Sequence, residues 1–158
     1  MEIRFAKPED VSQILVLLRQ IGTLHHKQRP DYFRKNAQKY GVSQILSMLD
    51  QCDSPIFVAA EGDRVLGYAF CAVREFPRDP VVESHTELRL EDLCVDEAVR
   101  RQGVGRALFD GVVRYAKMRD FHSVTLNVWD CNENAKKFYA AMGLLPRNIC
   151  MELRLEKE

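Results

Sequence analysis

The feature that most restricts how this chain can fold is the turn Arg100-Arg101-Gln102-Gly103-Val104-Gly105. It follows an apolar run, Leu88–Val95, in which Leu88, Leu90, Leu93, Cys94 and Val95 place apolar side chains on both faces, as in a central strand covered on two sides. After it, Val104, Ala107, Leu108, Gly111, Val112, Tyr115 and Ala116 share one face of a helix. Strand, glycine turn and helix in that order leave the first helical N–H groups without internal partners, at the positive end of the helix dipole. Glycines there let the backbone adopt conformations other residues avoid and approach a ligand closely. Arg100 and Arg101 add charged donors suited to phosphate oxygens. The turn therefore reads as an anion cradle, and taken alone it reads equally as a plain strand-to-helix connection. Two other phosphate loops fit worse. The third glycine of a dinucleotide fingerprint would fall at Leu108, and the P-loop spacing of Gly62 and Gly67 is followed by Tyr68 where lysine is needed.

The rest of the chain supplies alternating elements. Ile3 and Phe5 alternate as in a strand. Pro8, Glu9 and Asp10 suit a helix start, and Val11, Ile14, Leu15, Leu18 and Ile21 recur at helical spacing up to a stop at Gly22. Gly22–Asp31 is polar and irregular, and a weaker helical pattern covers about Phe33–Leu49. Ile56–Ala60, the turn Glu61–Arg64 and Val65–Val73 form a hairpin, followed by a polar loop, Arg74–Thr86. Val124, Leu126 and Val128 alternate as a strand. Asn132–Met142 is a short helix closed by Gly143, and Ile149, Met151, Leu153 and Leu155 alternate as a last strand. The order β-α-α-β-β-β-α-β-α-β predicts an α/β or α+β sheet with helices on both faces, a single domain over residues 1–158.

Composition narrows the function. Lys+Arg and Asp+Glu both count 23, so the chain lacks the basic excess of a nucleic-acid binder. No stretch has the length of a membrane-spanning helix, and the first residues lack the apolar core of a signal peptide. Five cysteines, none in a Cys-x-x-Cys spacing, predict free thiols in a reducing cytoplasm and no metal site.

The run Leu90–Leu108, with Leu90-Glu91-Asp92-Leu93-Cys94-Val95 leading into the glycine turn and Arg106-Ala107-Leu108 following it, strongly resembles the acetyl-CoA motif of the GNAT superfamily of N-acetyltransferases. The run Leu126–Leu144 resembles the second motif of that family, with Asn132, Ala135, Tyr139 and Gly143 at the family spacing. The resemblance extends to element order over nearly the whole chain. It implies a mixed, mostly antiparallel sheet splayed into a V between Leu88–Val95 and Val124–Trp129. Pantetheine would lie in the gap against the backbone of Leu93, Cys94 and Val95, and pyrophosphate on Gln102–Arg106, with Arg100 and Arg101 beside it. Asn132, Ala135 and Lys136 would belong to the cofactor site, and Tyr139 would lie near the sulfur. By charge alone, Lys136 and Lys137 either attract the ribose phosphate or form a solvated helix face. Acetyl-CoA is then the acyl donor, and a homodimer is a family-level expectation.

Acetyl transfer to an amine needs a neutral amine, although an alkyl ammonium has a pKa of about 10. It also needs a stabilised oxyanion and a proton for the leaving thiolate. Glu91, a charged residue in an apolar strand, is the expected general base, acting through a water, with Asp92 as the alternative if a bulge re-aims the strand. Tyr139 is the expected general acid, since a phenol of pKa about 10 can protonate a thiolate of pKa about 8.5; helical spacing alone would make it a core aromatic. A backbone N–H near Leu93 or Val95 could bind the oxyanion. A covalent route through Cys94 or Cys131 is the minor alternative. His25, His26, Asp31, Tyr32 and Phe33 either line the acceptor site or are solvated loop residues. The expected activity is direct acetyl transfer, in a ternary complex, to a primary amine of a small molecule. The alternatives are a protein or peptide acceptor, or a non-catalytic acyl-CoA sensor.

Overall fold

A computed structural model describes residues 1–155. They divide into two compact units, one ending at Asn127 and one beginning at Val128.

The first unit is a five-stranded sheet in the order β1-β2-β3-β4-β5. Its strands are β1 (Glu2–Phe5), β2 (Ile56–Glu61), β3 (Arg64–Phe76), β4 (His85–Val95) and β5 (Ser123–Leu126). All pairs are antiparallel except β4 with β5, which is parallel. Helices α1 (Val11–Gln28) and α2 (Val42–Leu49) cover one face. There Ile14, Leu17, Leu18 and Ile45 close over Tyr68, Phe70 and Cys94 in the core. Helix α3 (Val104–Met118) covers the other face, burying Val104, Leu108, Phe109, Val112 and Ala116. This is the mixed, mostly antiparallel sheet the motifs predict.

The order of elements follows the sequence patterns, but several boundaries move. Helix α1 does not stop at Gly22; it continues through His25 and His26 to Gln28. Gly22 serves packing instead, because a Cβ there would meet the Ala37 carbonyl oxygen at 2.4 Å. The second helical pattern forms only over Val42–Leu49, since the chain before it turns through a left-handed Asn36 (φ 57°). The β3–β4 hairpin reaches Phe76 and His85, reducing the expected loop to residues 77–84. Strand β5 ends at Leu126, leaving Val128 outside it.

In the second unit, α4 (Glu133–Ala141) forms where the spacing predicts and ends at a left-handed Gly143 (φ 89°). The expected last strand is corrected: residues 144–155 have no regular structure, and Ile149, Met151, Leu153 and Leu155 are 78–86% exposed. Alternation prepares a segment for a sheet edge, but a strand exists only where a neighbour takes its backbone hydrogen bonds, and no described strand pairs with this one.

One buried ion pair anchors the start of the chain. The Arg4 guanidinium donates to both Asp10 oxygens, at 2.7 and 2.9 Å, and the Lys7 N–H donates to the same carboxylate at 2.8 Å. Arg4 first, and Lys7 after it, hold the Asp10 carboxyl below its ordinary value against the opposing effect of burial. Its contribution to stability is therefore present above the ordinary carboxylate pKa and fades as pH falls through the depressed one. Asp10→Asn is expected to cost about 3 kcal/mol, the low end for a broken buried pair, because Arg4 keeps some solvent contact. Urea unfolding at neutral pH measures it, and the deficit should shrink in acid; a loss that does not change with pH would contradict the assignment.

Candidate active site

The site is organised by an irregularity in β4. Phe70 pairs with Asp92 and Cys71 with Leu90, so Glu91 is an extra residue opposite the Phe70–Cys71 step. Such a bulge reverses the alternation of side chains along a strand. Leu88 and Leu90 before it, and Leu93 after it, oppose Val73, Cys71 and Ala69 on one face. Glu87, Arg89, Asp92 and Cys94 oppose Arg74, Ala72, Phe70 and Tyr68 on the other, where α1 and α2 pack. Two consecutive carboxylates, Glu91 and Asp92, thereby stand on the α1 side of the sheet.

Their surroundings differ. Glu91 is ion-paired to Arg74 at 3.1 Å and to Lys39 at 3.8 Å. Asp92 is half-buried and accepts a hydrogen bond from the Tyr68 hydroxyl at 3.0 Å. Loss of solvent raises its carboxyl above the ordinary value, opposed by Lys39, the Tyr68 hydroxyl, His25 and the Leu93 N–H. The Tyr68 phenol, fully buried beside Asp92, is pushed far upward and stays a donor. His25 lies in the last turn of α1 and is stacked on Phe33 at 5.0 Å. Its burial lowers the imidazole pKa, with Asp92 pulling the other way. The imidazole of His26 is held by the Phe33 carbonyl oxygen at 2.7 Å, and Asp31 is chelated by Arg29. Four beats upstream of the bulge, Glu87 is only 2% exposed; Thr125 Oγ1 donates to it at 3.2 Å and His85 Nε2 lies 3.4 Å away.

The bulge is also where the sheet opens. Pairing of β4 with β5 runs from Glu87–Ser123 to Leu90–Leu126 and stops, so among the described residues Glu91–Val95 have no strand on that side. The two strands part here, as the predicted V requires. The edge they leave carries the backbone of Leu93, Cys94 and Val95, although the Val95 carbonyl already accepts from Gln20 Nε2 at 3.0 Å and Arg100 Nε at 3.4 Å. The Cys94 side chain points away from this edge into the core, where it donates to the Leu17 carbonyl. Burial pushes its thiol up to about 12, which opposes the covalent route considered for it. Cys131 is exposed, in the second unit.

Beyond the edge the chain passes a single 3-10 turn, Glu97–Val99, and enters the glycine turn. Arg101 (φ 62°) and Gly103 (φ 85°) are both left-handed, and Gly103 is the N-cap of α3. No side chain caps that helix among the described residues, so the N–H groups of Val104, Gly105 and Arg106 face outward. A Cβ at Gly103 would have nothing within 4 Å. Uncapped donors, open space at the Gly103 Cβ position, and the exposed side chains of Gln102, Arg101 and Arg106 fit a pyrophosphate.

In the second unit the expected residues have mainly local partners. Asn132 caps α4, its Oδ1 accepting from the Ala135 N–H at 3.1 Å. Lys136 donates to Asp130 and Glu133 carboxylates, each at 2.8 Å, which raises its pKa and neutralises the charge expected to draw a phosphate. Tyr139 is half-buried on α4, edge-to-face with Phe138 at 5.1 Å.

Sequence reasoning missed Tyr68, Arg74, Lys39 and Gln20. Only Tyr68 left a readable signal, a hydroxyl in a strand that is otherwise apolar. A cavity of about 340 Å³ lies elsewhere, lined by Phe5, Pro55, Tyr115 and Arg119, and holds no carboxylate. Among the described residues no three His, Cys, Asp or Glu are grouped to hold a metal ion, and no helix is long and apolar enough to cross a membrane.

Comparison with known proteins decides the family, because the Acetyltransferase (GNAT) family profile matches residues 21–144, spanning the bulge, the glycine turn and α4. The chain belongs to the GNAT acetyltransferase family. It is 29% identical over 97 residues to human N-acetyltransferase 8B, covering 61% of this chain and 41% of that protein. It spans less than half the length of the curated relatives it matches. A mutant of the BH1408 protein from Bacillus halodurans superposes with a TM-score of 0.94 at 30% identity, covering 99% of this chain and all of that one. The fold is also that of aminoglycoside N-acetyltransferase AAC(6')-Iy in complex with CoA, at a TM-score of 0.73 and 16% identity over 99% of this chain and all of that one.

Proposed function

We propose that the chain is an acetyl-CoA-dependent N-acetyltransferase acting on a primary amine by direct attack, with a small molecule as acceptor. The observation that carries this reading is the coincidence of three features on one strand. The bulge, the end of β4–β5 pairing and the run into the uncapped α3 N-terminus lie within Leu90–Gly105. Together they align an open backbone edge for the pantetheine, an anion cradle for the pyrophosphate and a carboxylate pair for the amine.

In this reading the N–H groups at the start of α3 and the side chains of Arg101 and Arg106 bind the phosphates. Asp92 is the proton acceptor, directly or through a water. A carboxyl raised above its ordinary value is a better base than an ordinary one, and Tyr68 holds it in place. Glu91, tied to Arg74 and Lys39, shapes the acceptor side and supplies negative charge. A backbone N–H at Leu93 or Val95 stabilises the oxyanion. Tyr139 donates the proton that the thiolate needs, and Asn132, whose Oδ1 accepts from the Ala135 N–H at the start of α4, contacts the cofactor. The domain extent of 1–158, an assembly as a homodimer and a cytoplasmic site of action belong to the same reading.

A thiol-release assay with acetyl-CoA across polyamines, aminoglycosides, amino acids and peptides tests it. Release with small amines is the expected result. Release with peptides alone moves the acceptor to proteins. Acetyl-CoA binding with no release for any acceptor leaves a sensor module. Tyr139→Phe should lower kcat by about tenfold to a hundredfold while acetyl-CoA affinity stays near wild type. Unchanged turnover would return Tyr139 to packing.

A further inference from the structure

The segment between α1 and α2 places a primary amine at the bulge. Lys39 Nζ donates to the Glu91 carbonyl oxygen at 3.2 Å and lies 3.8 Å from the Glu91 carboxylate. Its charge is felt by both Asp92 and His25. The ammonium also rests over the Tyr40 ring, 5.2 Å from its centroid, and the side chain keeps 44% of its exposure. This is the set of groups that an acceptor ammonium would need: a carbonyl, a carboxylate and an aromatic face, with Asp92 next along the strand.

The position is not that of a loose surface lysine. The Ala37 carbonyl is seated against Gly22 of α1, closer than any side chain there would permit. Arg19 Nε donates to Gln38 Oε1 at 3.1 Å, and Gln38 Nε2 donates to the Tyr40 carbonyl at 2.8 Å. The Tyr40 ring packs on Phe70 at 4.9 Å, and Phe70 is the register partner of Asp92. The residues on both sides of Lys39 are therefore pinned to α1 and to the bulged pair of strands. Nζ is held beside Glu91 by the fold as well as by its own charge.

We propose that Lys39 is an intramolecular acceptor, so that the site acetylates its own α1–α2 segment. The inference rests on the acetyltransferase reading above. The ammonium of Lys39 loses one proton to Asp92 through a water, and the neutral Nζ attacks the thioester carbonyl of bound acetyl-CoA. The N–C bond of an amide forms and the C–S bond breaks. The attacking nitrogen gives up its second proton, coenzyme A leaves as thiolate and takes up that proton, and the first passes from Asp92 to solvent. The product amide no longer carries the charge that pairs with Glu91, which leaves that carboxylate to Arg74.

The test is to incubate the purified chain with isotopically labelled acetyl-CoA and no added amine, then follow intact mass and map the modified peptide. One acetyl group on Lys39 is expected. Its rate per molecule should be independent of protein concentration, as an intramolecular step requires. It should exceed the rate at exposed Lys35 by at least about tenfold, a modest demand where well-oriented groups reach effective molarities on the order of 10⁵ M. Lys39→Arg should remove the modification, and Asp92→Asn should slow it while Lys35 is unaffected. Labelling of Lys39 no faster than Lys35, or equally fast in Asp92→Asn, would reduce it to chemical acetylation and overturn the proposal. So would an unlabelled Lys39 in a chain that binds acetyl-CoA and turns over an added amine, a result that leaves the acetyltransferase reading standing. Absence of acetyl-CoA binding in a thermal-shift measurement would remove both.

Discussion

Gly103→Glu is expected to abolish acetyl-CoA binding while leaving the chain folded. Gly103 is left-handed at the N-cap of α3, so a side chain there costs about 1–2 kcal/mol in backbone strain. It meets no neighbour, because the space beyond its Cβ position is clear for 4 Å. The glutamate carboxylate would then lie over the N–H groups of Val104, Gly105 and Arg106, at the positive end of the helix dipole. It would take those donors and repel a phosphate from them. Losing two charge-assisted hydrogen bonds, at about 1.5–3 kcal/mol each, weakens binding by about a hundredfold or more. Gly103→Ala separates the causes, since it carries the strain without the charge and should lose far less. Titration calorimetry decides, and wild-type affinity in Gly103→Glu would remove the phosphate site from this turn.

The second large effect belongs to Asp92. Asp92→Asn keeps an acceptor for the Tyr68 hydroxyl but cannot take a proton, and kcat/KM should fall by about a hundredfold to a thousandfold. In the wild type the ionised carboxylate is the active form, so kcat/KM should climb as pH rises through its raised pKa. Stability should move the opposite way. A carboxyl that binds its proton more tightly folded than unfolded opposes folding once the pH exceeds its unfolded value, so its ionisation lowers stability up to and through the raised pKa. Asp92→Asn should therefore melt higher than wild type near neutral pH and differ little in acid, with activity given up for stability. Glu91→Gln, made in parallel, should have the smaller effect on kcat/KM, because Arg74 and Lys39 already engage that carboxylate. The reverse ranking would return the base to Glu91.

The contrast between these neighbours shows where reading a sequence stops. Glu91 and Asp92 are one residue apart and chemically alike. Spacing suggested that a bulge could re-aim one of them, and the structure places the bulge at Glu91. What separates the two is long-range: Tyr68 arrives from β3, Arg74 from farther along the same strand, and Lys39 from the segment between α1 and α2. None of those distances is encoded in local periodicity. Lys136 makes the same point for charge. Its position in the motif suggested a phosphate contact, whereas Asp130 and Glu133 are folded onto its ammonium by the start of α4.

The sequence by itself determined the elements whose signals are local. The glycine turn, the face of α3, the short helix α4 and its Gly143 stop all depend on backbone conformation or a single helical repeat, and all lie where the spacing predicts. It also determined the family, because two motifs at the right separation are specific even when each alone is not. Tertiary structure decided the rest. It carried α1 through Gly22, because the glycine is spent on the Ala37 contact and not on a stop. It left Ile149–Leu155 without a strand partner among the described residues, since pairing needs a neighbouring edge as well as alternation. It set Asp92 beneath a buried phenol and a lysine ammonium at the bulge, because desolvation and charge depend on which distant segments pack together.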